Sequence, residues 1–182
     1  MINPENLIRS IGDSPLPPVE DWSPDYCGEL DLQIKADGSW IYAGTPLTRA
    51  RMRLLFSRVI KKEGDSYFLV TPVEKVSIKV EWQPFVIIDF EILERAGKQI
   101  FQFVDNCENQ VELVESCQMQ LSRFQGQDLP VVRIRRNLFA GFSRNCYYRL
   151  LQQANVTSHG EGQRVFIASN GLKFNLGDYQ EA

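Results

Sequence analysis

Apolar and polar residues alternate most clearly where Leu30, Leu32 and Ile34 interleave with Asp31, Gln33 and Lys35. A period of two places the three apolar side chains on one face and predicts a half-buried strand. Asp37-Gly38 follows, then Trp40 and Tyr42. An Asp-Gly pair between alternating segments predicts a tight hairpin, because its turn needs positive φ angles that these residues tolerate. Asn170-Gly171, ahead of Leu172 to Leu176, carries the same signal. The period changes to 3.6 at Met52, Leu55, Phe56 and Val59, which predicts a helix of about a dozen residues opening at Thr45-Pro46 or Thr48. Glu63-Gly64-Asp65-Ser66 breaks it, and Tyr67 to Thr71 and Val76 to Val80 read as strands joined at Pro72.

The pattern elsewhere completes an α+β reading. Asn3, Pro4 and Gly12 bracket a short N-terminal helix with Leu7, Ile8 and Ile11 on one face. Pro15, Pro17, Pro18 and Pro24 then hold an extended arm anchored by Trp22 and Tyr26. Phe85 to Leu93, Gln99 to Val104 and Val111 to Val114 form a strand meander, while Cys117 to Asp128 shows no period and reads as a loop. Val131 to Arg136 is a strand, and Ser143 caps a second helix with the stripe Tyr147, Leu150, Leu151 and Ala154. Strand, helix and hairpin therefore recur about 95 residues apart, an internal repeat. The expected fold is mainly antiparallel strands with two principal helices and the short N-terminal one. It divides into an arm (1–29), a first repeat (30–84), a central meander (85–126) and a second repeat (127–182).

Composition narrows the chemistry. The chain has 182 residues, 43% hydrophobic and 24% charged, the profile of a globular protein rather than a disordered or fibrous one. No apolar run is long enough to span a bilayer, and Met1 to Glu5 lacks the features of a signal peptide. Four cysteines without a CxxC pair then read as reduced thiols in a cytoplasmic protein, with no structural zinc. A net charge of −3 argues against nucleic acid as a partner. His159 is the sole histidine and falls in a Ser/Gly-rich loop, which excludes multi-histidine metal sites. Gly160 and Gly162 begin a GxGxxG motif that Val165 fails to complete, and no phosphate-binding loop or GxSxG elbow is present. No cofactor is expected.

Two charged features remain. Asp89 and Glu91 share one face of a strand and read as its wet side, and Asp105 to Asn109 reads as a turn rather than a calcium loop. Arg49, Arg51, Arg53 and Arg58 decorate the first long helix, and Arg133, Arg135 and Arg136 a later strand, with Arg144 and Arg149 nearby. Guanidinium groups suit carboxylate or phosphate recognition, although such a face also pairs with a protein's own carboxylates.

Asp21-Trp22-Ser23-Pro24, Cys27-Gly28, Asp37-Gly38-Ser39-Trp40, Tyr42 to Pro46, Leu55-Phe56-Ser57, Tyr67 to Lys75 and Pro84-Phe85 stand in an order that resembles the bacterial family called domain of unknown function 1285. The resemblance implies a bacterial protein of similar length with repeated α+β motifs. It implies no established activity, only a suggested part in signal transduction, and carries no functional residues. The residues themselves lead to a non-enzymatic module that recognises a small anionic ligand or a protein partner in a groove between the repeats. Arg49, Arg53, Glu74, Lys75, Trp40 and Tyr42 are its candidate contacts. The alternative is a small-substrate enzyme using Asp31, Asp37 or Glu74 as acid and base. Homo-oligomerisation stays open.

Overall fold

The computed structural model describes residues 16–159 and 162–180. The chain divides into two compact units, Met1–Pro84 and Phe85–Ala182. The short helix expected over residues 3–12 lies outside the described residues.

In the first unit, a 3-10 turn at Val19–Asp21 leads into β1 (Tyr26–Ile34), β2 (Trp40–Tyr42) and β3 (Thr45–Pro46). Helix α1 (Ala50–Arg58) then precedes β4 (Ile60–Glu63), β5 (Ser66–Val70) and β6 (Lys75–Val80). The strands form one sheet in the order β3-β2-β1-β6-β5-β4. Every neighbouring pair is antiparallel except β1 and β6, which run parallel at its centre. Register explains the core. Ile34 faces Trp40, Tyr67 faces Ile78, and Leu69 faces both Val76 and Ile60. These side chains are all buried, so the alternation read at Leu30, Leu32 and Ile34 extends across the sheet. Phe56 and Val59 are fully buried with them, and burying a ring such as that of Phe56 contributes about 2–3 kcal/mol.

The second unit holds β7 (Phe85–Arg95), β8 (Lys98–Asp105), β9 (Gln110–Glu112), β10 (Met119–Phe124), β11 (Gln127–Arg135) and β12 (Leu138–Phe142). Helix α2 (Arg144–Leu151) and β13 (Asn155–His159), β14 (Gly162–Ser169) and β15 (Leu172–Gln180) complete it. One sheet has the order β10-β11-β12-β7-β8-β9, and the last three strands make a separate antiparallel sheet. Buried Ser169 stitches the two together, donating to the Leu113 carbonyl at 2.6 Å and accepting from the Phe101 amide at 2.9 Å.

The α+β expectation is corrected: the described residues form fifteen strands and only two α-helices, of nine and eight residues, so the fold is mostly β. Helical period had extended the first helix through residues that the sheet claims. Thr45-Pro46 pairs with Ile41 and Tyr42 as β3, and Ile60 to Glu63 leave the helix to pair with β5. The expected repeat is corrected likewise. A helix followed by a three-stranded meander occurs twice, but β4 to β6 join a six-stranded sheet through β1 whereas β13 to β15 stand alone as a sheet. The segment read as a loop from Cys117 to Asp128 holds β10 and the start of β11. Gln125 and Gly126, both at positive φ, turn that hairpin without an Asn or Asp to announce it. Thr157 to His159, in the loop read around the sole histidine, belong instead to β13, paired with β14.

Candidate functional site

The six candidate residues all belong to the first unit, but its sheet does not gather them. Trp40 and Tyr42 lie on the core face of β2, opposite Ile34 and Leu32. Trp40 is only 2% exposed, and its indole Nε1 has no hydrogen-bond partner. Lys75 pairs with Tyr26 and faces the other side of the sheet. There its ammonium binds the Glu63 carboxylate and sits 4.4 Å from the centre of the Phe68 ring. Tyr26 and Ile34 mark opposite ends of β1, which β6 spans in the five steps from Lys75 to Val80, so Lys75 and Trp40 stand roughly 17 Å apart along the strands. Glu74 shares the Lys75 end. It closes a turn in which buried Thr71 accepts from the Glu74 amide at 3.1 Å. The junction expected at Pro72 is therefore a hydrogen-bonded turn that presents Val73 to solvent.

Arg49 and Arg53 belong to the Trp40 end. The Leu47 amide donates to the Trp40 carbonyl at 2.8 Å, and Arg49 follows as the N-cap of α1. Its backbone is extended, as a cap requires, but its side chain caps nothing, and the first helical turn has no acidic residue. Arg49, Arg51 and Arg53 thus crowd the positive end of the helix dipole, an arrangement that costs stability. Among the described residues, none of the four arginines of this segment makes an ion pair with a carboxylate. Elsewhere Arg95, Arg123, Arg133, Arg149 and Arg164 each hold one. From Gly38 to Lys62 there is no Asp or Glu, only four arginines and two lysines. Those lysines are engaged, Lys61 with Glu20 and Glu63, Lys62 over the Tyr67 ring.

The acidic candidates do not assemble an acid–base pair. Hydrogen bonds from the Ser39 hydroxyl (2.7 Å) and amide (2.8 Å) hold the Asp37 carboxyl below the ordinary range. Asp37 lies in the β1–β2 turn, at the far end of β1 from Glu74, and Asp31 is exposed on β1. In the second unit, Asp89 is drawn from Glu91 to Arg149, whose hydrogen bond pushes its carboxyl down. The cysteines make no disulfide, and burial pushes the Cys146 thiol up to about 11, which denies it a nucleophile's ionisation. No cluster of three or more metal-binding side chains occurs among the described residues, and no helix there is long and apolar enough to cross a membrane.

Reading along the sequence missed one cavity. Leu121, Gln127, Asp128, Leu129, Tyr147, Gly177 and Asp178 line a cleft of about 430 Å³ in the second unit. No motif links them; the β10–β11 hairpin brings them beside β15 and α2. Its two carboxylates are already held, Asp128 by Arg123 and Asp178 by two nitrogens of Arg164.

Fold and site define a two-unit, mostly β protein whose first unit carries a basic helix without a carboxylate partner among the described residues. The family of proteins of unknown function DUF1285 accounts for both units. Its N-terminal domain matches residues 17–83 and its C-terminal domain residues 84–176, and the chain belongs to that family. A solved DUF1285 protein from Silicibacter pomeroyi DSS-3 is 32% identical with a TM-score of 0.85, covering 98% of this chain and 96% of that one. Another from Shewanella baltica OS155, also 32% identical, has a TM-score of 0.57 and covers 69% of this chain and 94% of its own. No curated protein matches.

Proposed function

We propose that the protein is a non-enzymatic binding module whose first unit recognises an anionic partner through α1. The supporting observation is the set of four guanidinium groups, Arg49, Arg51, Arg53 and Arg58, that have no carboxylate partner among the described residues of an otherwise acidic chain. Selection for stability alone would place an acid in the first turn of this helix and a hydroxyl or carboxylate at its cap. A charged partner docked on the helix would offset both deficits.

The test is titration of the protein with inorganic tripolyphosphate and with a labelled glutamate decamer, followed by calorimetry and anisotropy. At least one polyanion binds with an affinity that falls as salt rises, and Arg49→Gln/Arg51→Gln/Arg53→Gln/Arg58→Gln weakens it about tenfold or more. Arg123→Gln, on the other unit, serves as the control and leaves binding unchanged. Absence of binding by either probe, or equal binding by the quadruple variant, overturns the reading.

A further inference from the structure

Helix α1 has two differently built sides. Phe56 and Ser57 are its buried residues. Arg51, Leu54, Leu55 and Arg58 stand at positions i, i+3, i+4 and i+7 and so form one stripe, with its arginines opposite the buried pair by helical phase and its leucines flanking them toward the buried side. Arg51 is exposed and the other three are half-buried. The stripe is apolar at its centre and cationic at both ends. Its two arginines are about 10.5 Å apart along the axis. A small anion cannot reach both, and a uniformly charged strand such as nucleic acid would lay phosphates over two leucines. Carboxylates spaced two helical turns apart, with apolar side chains between, match both features.

We infer that the partner of α1 is an acidic amphipathic protein segment, docked along the Arg51–Leu54–Leu55–Arg58 stripe; this rests on the anion-binding reading and specifies its ligand. Two acidic residues of the segment meet the guanidinium groups, and its apolar side chains cover Leu54 and Leu55. The charge balance favours such a partner, because the stretch from Gly38 to Lys62 offers four arginines and no anion to repel it.

The probe is a labelled helical peptide of Glu, Leu and Ala with glutamates seven residues apart and leucines between them, compared with a Leu-free peptide of equal charge. Anisotropy shows the first binding about tenfold more tightly, and Leu54→Ser removes that advantage while leaving tripolyphosphate binding intact. Arg51→Glu/Arg58→Glu abolishes binding, and a peptide with lysine in place of glutamate restores it. Equal affinity of the two peptides, or failure of the charge swap, overturns the inference. If polyanions still bind wild type and not the quadruple variant, the broader reading survives that failure; if nothing binds, both fall. Sedimentation of the same variants adds one outcome: wild-type self-association that Arg51→Glu/Arg58→Glu dissolves would assign the stripe to a second copy and overturn the segment.

Discussion

The Asn109 side-chain amide donates to Asp105 Oδ2 at 2.7 Å, while Asp105 Oδ1 accepts from the Cys107 and Asn109 amides at 2.8 and 3.0 Å. One carboxylate, 1% exposed, thereby closes the turn between β8 and β9. Asp105→Ala leaves buried donors without acceptors and is expected to cost about 3 kcal/mol in urea denaturation. Burial outweighs these bonds and pushes the Asp105 carboxyl above the ordinary range. The folded state therefore holds its proton more tightly than the unfolded one. Its contribution to stability is full below the ordinary carboxylate pKa and is lost as pH rises through the folded value. A stability–pH curve should lose that component in Asp105→Asn; an unchanged curve would refute the assignment.

Arg49 occupies a cap position that its side chain cannot serve. Arg49→Asp supplies an acceptor for the free amides and reverses the charge at the dipole's positive end. A gain of about 1 kcal/mol is expected, raising the thermal midpoint by roughly 2–4 °C. The same variant should bind polyanions less well. A lower midpoint would show that Arg49 supports the helix in some other way.

Ser143 is the opposite case, a cap whose hydroxyl accepts from the Cys146 amide at 3.4 Å. Ser143→Ala should cost about 1 kcal/mol, and Ser143→Asp should retain most of the stability. Equal losses in the two variants would remove capping as the cause.

Trp40 carries a buried donor without an acceptor. Trp40→Phe deletes that donor at the expense of some packing, so the change should stay within about 1 kcal/mol, whereas Trp40→Ala should cost about 3–5 kcal/mol. A large loss in Trp40→Phe would reveal a partner for the indole, such as a bound water.

Lys75 is committed to Glu63, and that hydrogen bond holds the Glu63 carboxyl below its ordinary range. Because the pair is partly solvated, Lys75→Met should change stability by less than about 1 kcal/mol while Glu63 titrates nearer its ordinary value by NMR. The sign follows from the depressed value: the small contribution is present above the ordinary pKa and fades as pH falls through the folded one.

The hairpins were legible because their chemistry is local. Asp37-Gly38 and Asn170-Gly171 each place a glycine at positive φ, at 86° and 77°. The β1 core face was legible too, since Leu30, Leu32 and Ile34 obey a period of two. Partnership was not legible. Ile60 to Glu63 become a strand only because β5 lies beside them, and β10 is an edge strand whose Met119 and Leu121 give a weak alternation. The candidate site suffered from the same limit. Trp40 and Lys75 are close to elements rich in charge and aromatic rings, yet the parallel β1–β6 register sets them at opposite ends of the sheet. The lack of acids over residues 38–62 could be read along the chain, but the unpaired state of the α1 arginines could not, since a pair such as Arg149–Asp89 closes across sixty residues.

That parallel pairing also governs how the first unit can fold. The β1–β2 hairpin and the β4–β5–β6 meander close between near neighbours, but Tyr26 meets Lys75 only across about fifty intervening residues. The seam must therefore close last, after both hairpins exist. During synthesis, β1 waits with one edge unpaired until residues near Val80 have left the ribosome, an interval in which the first unit is open to aggregation.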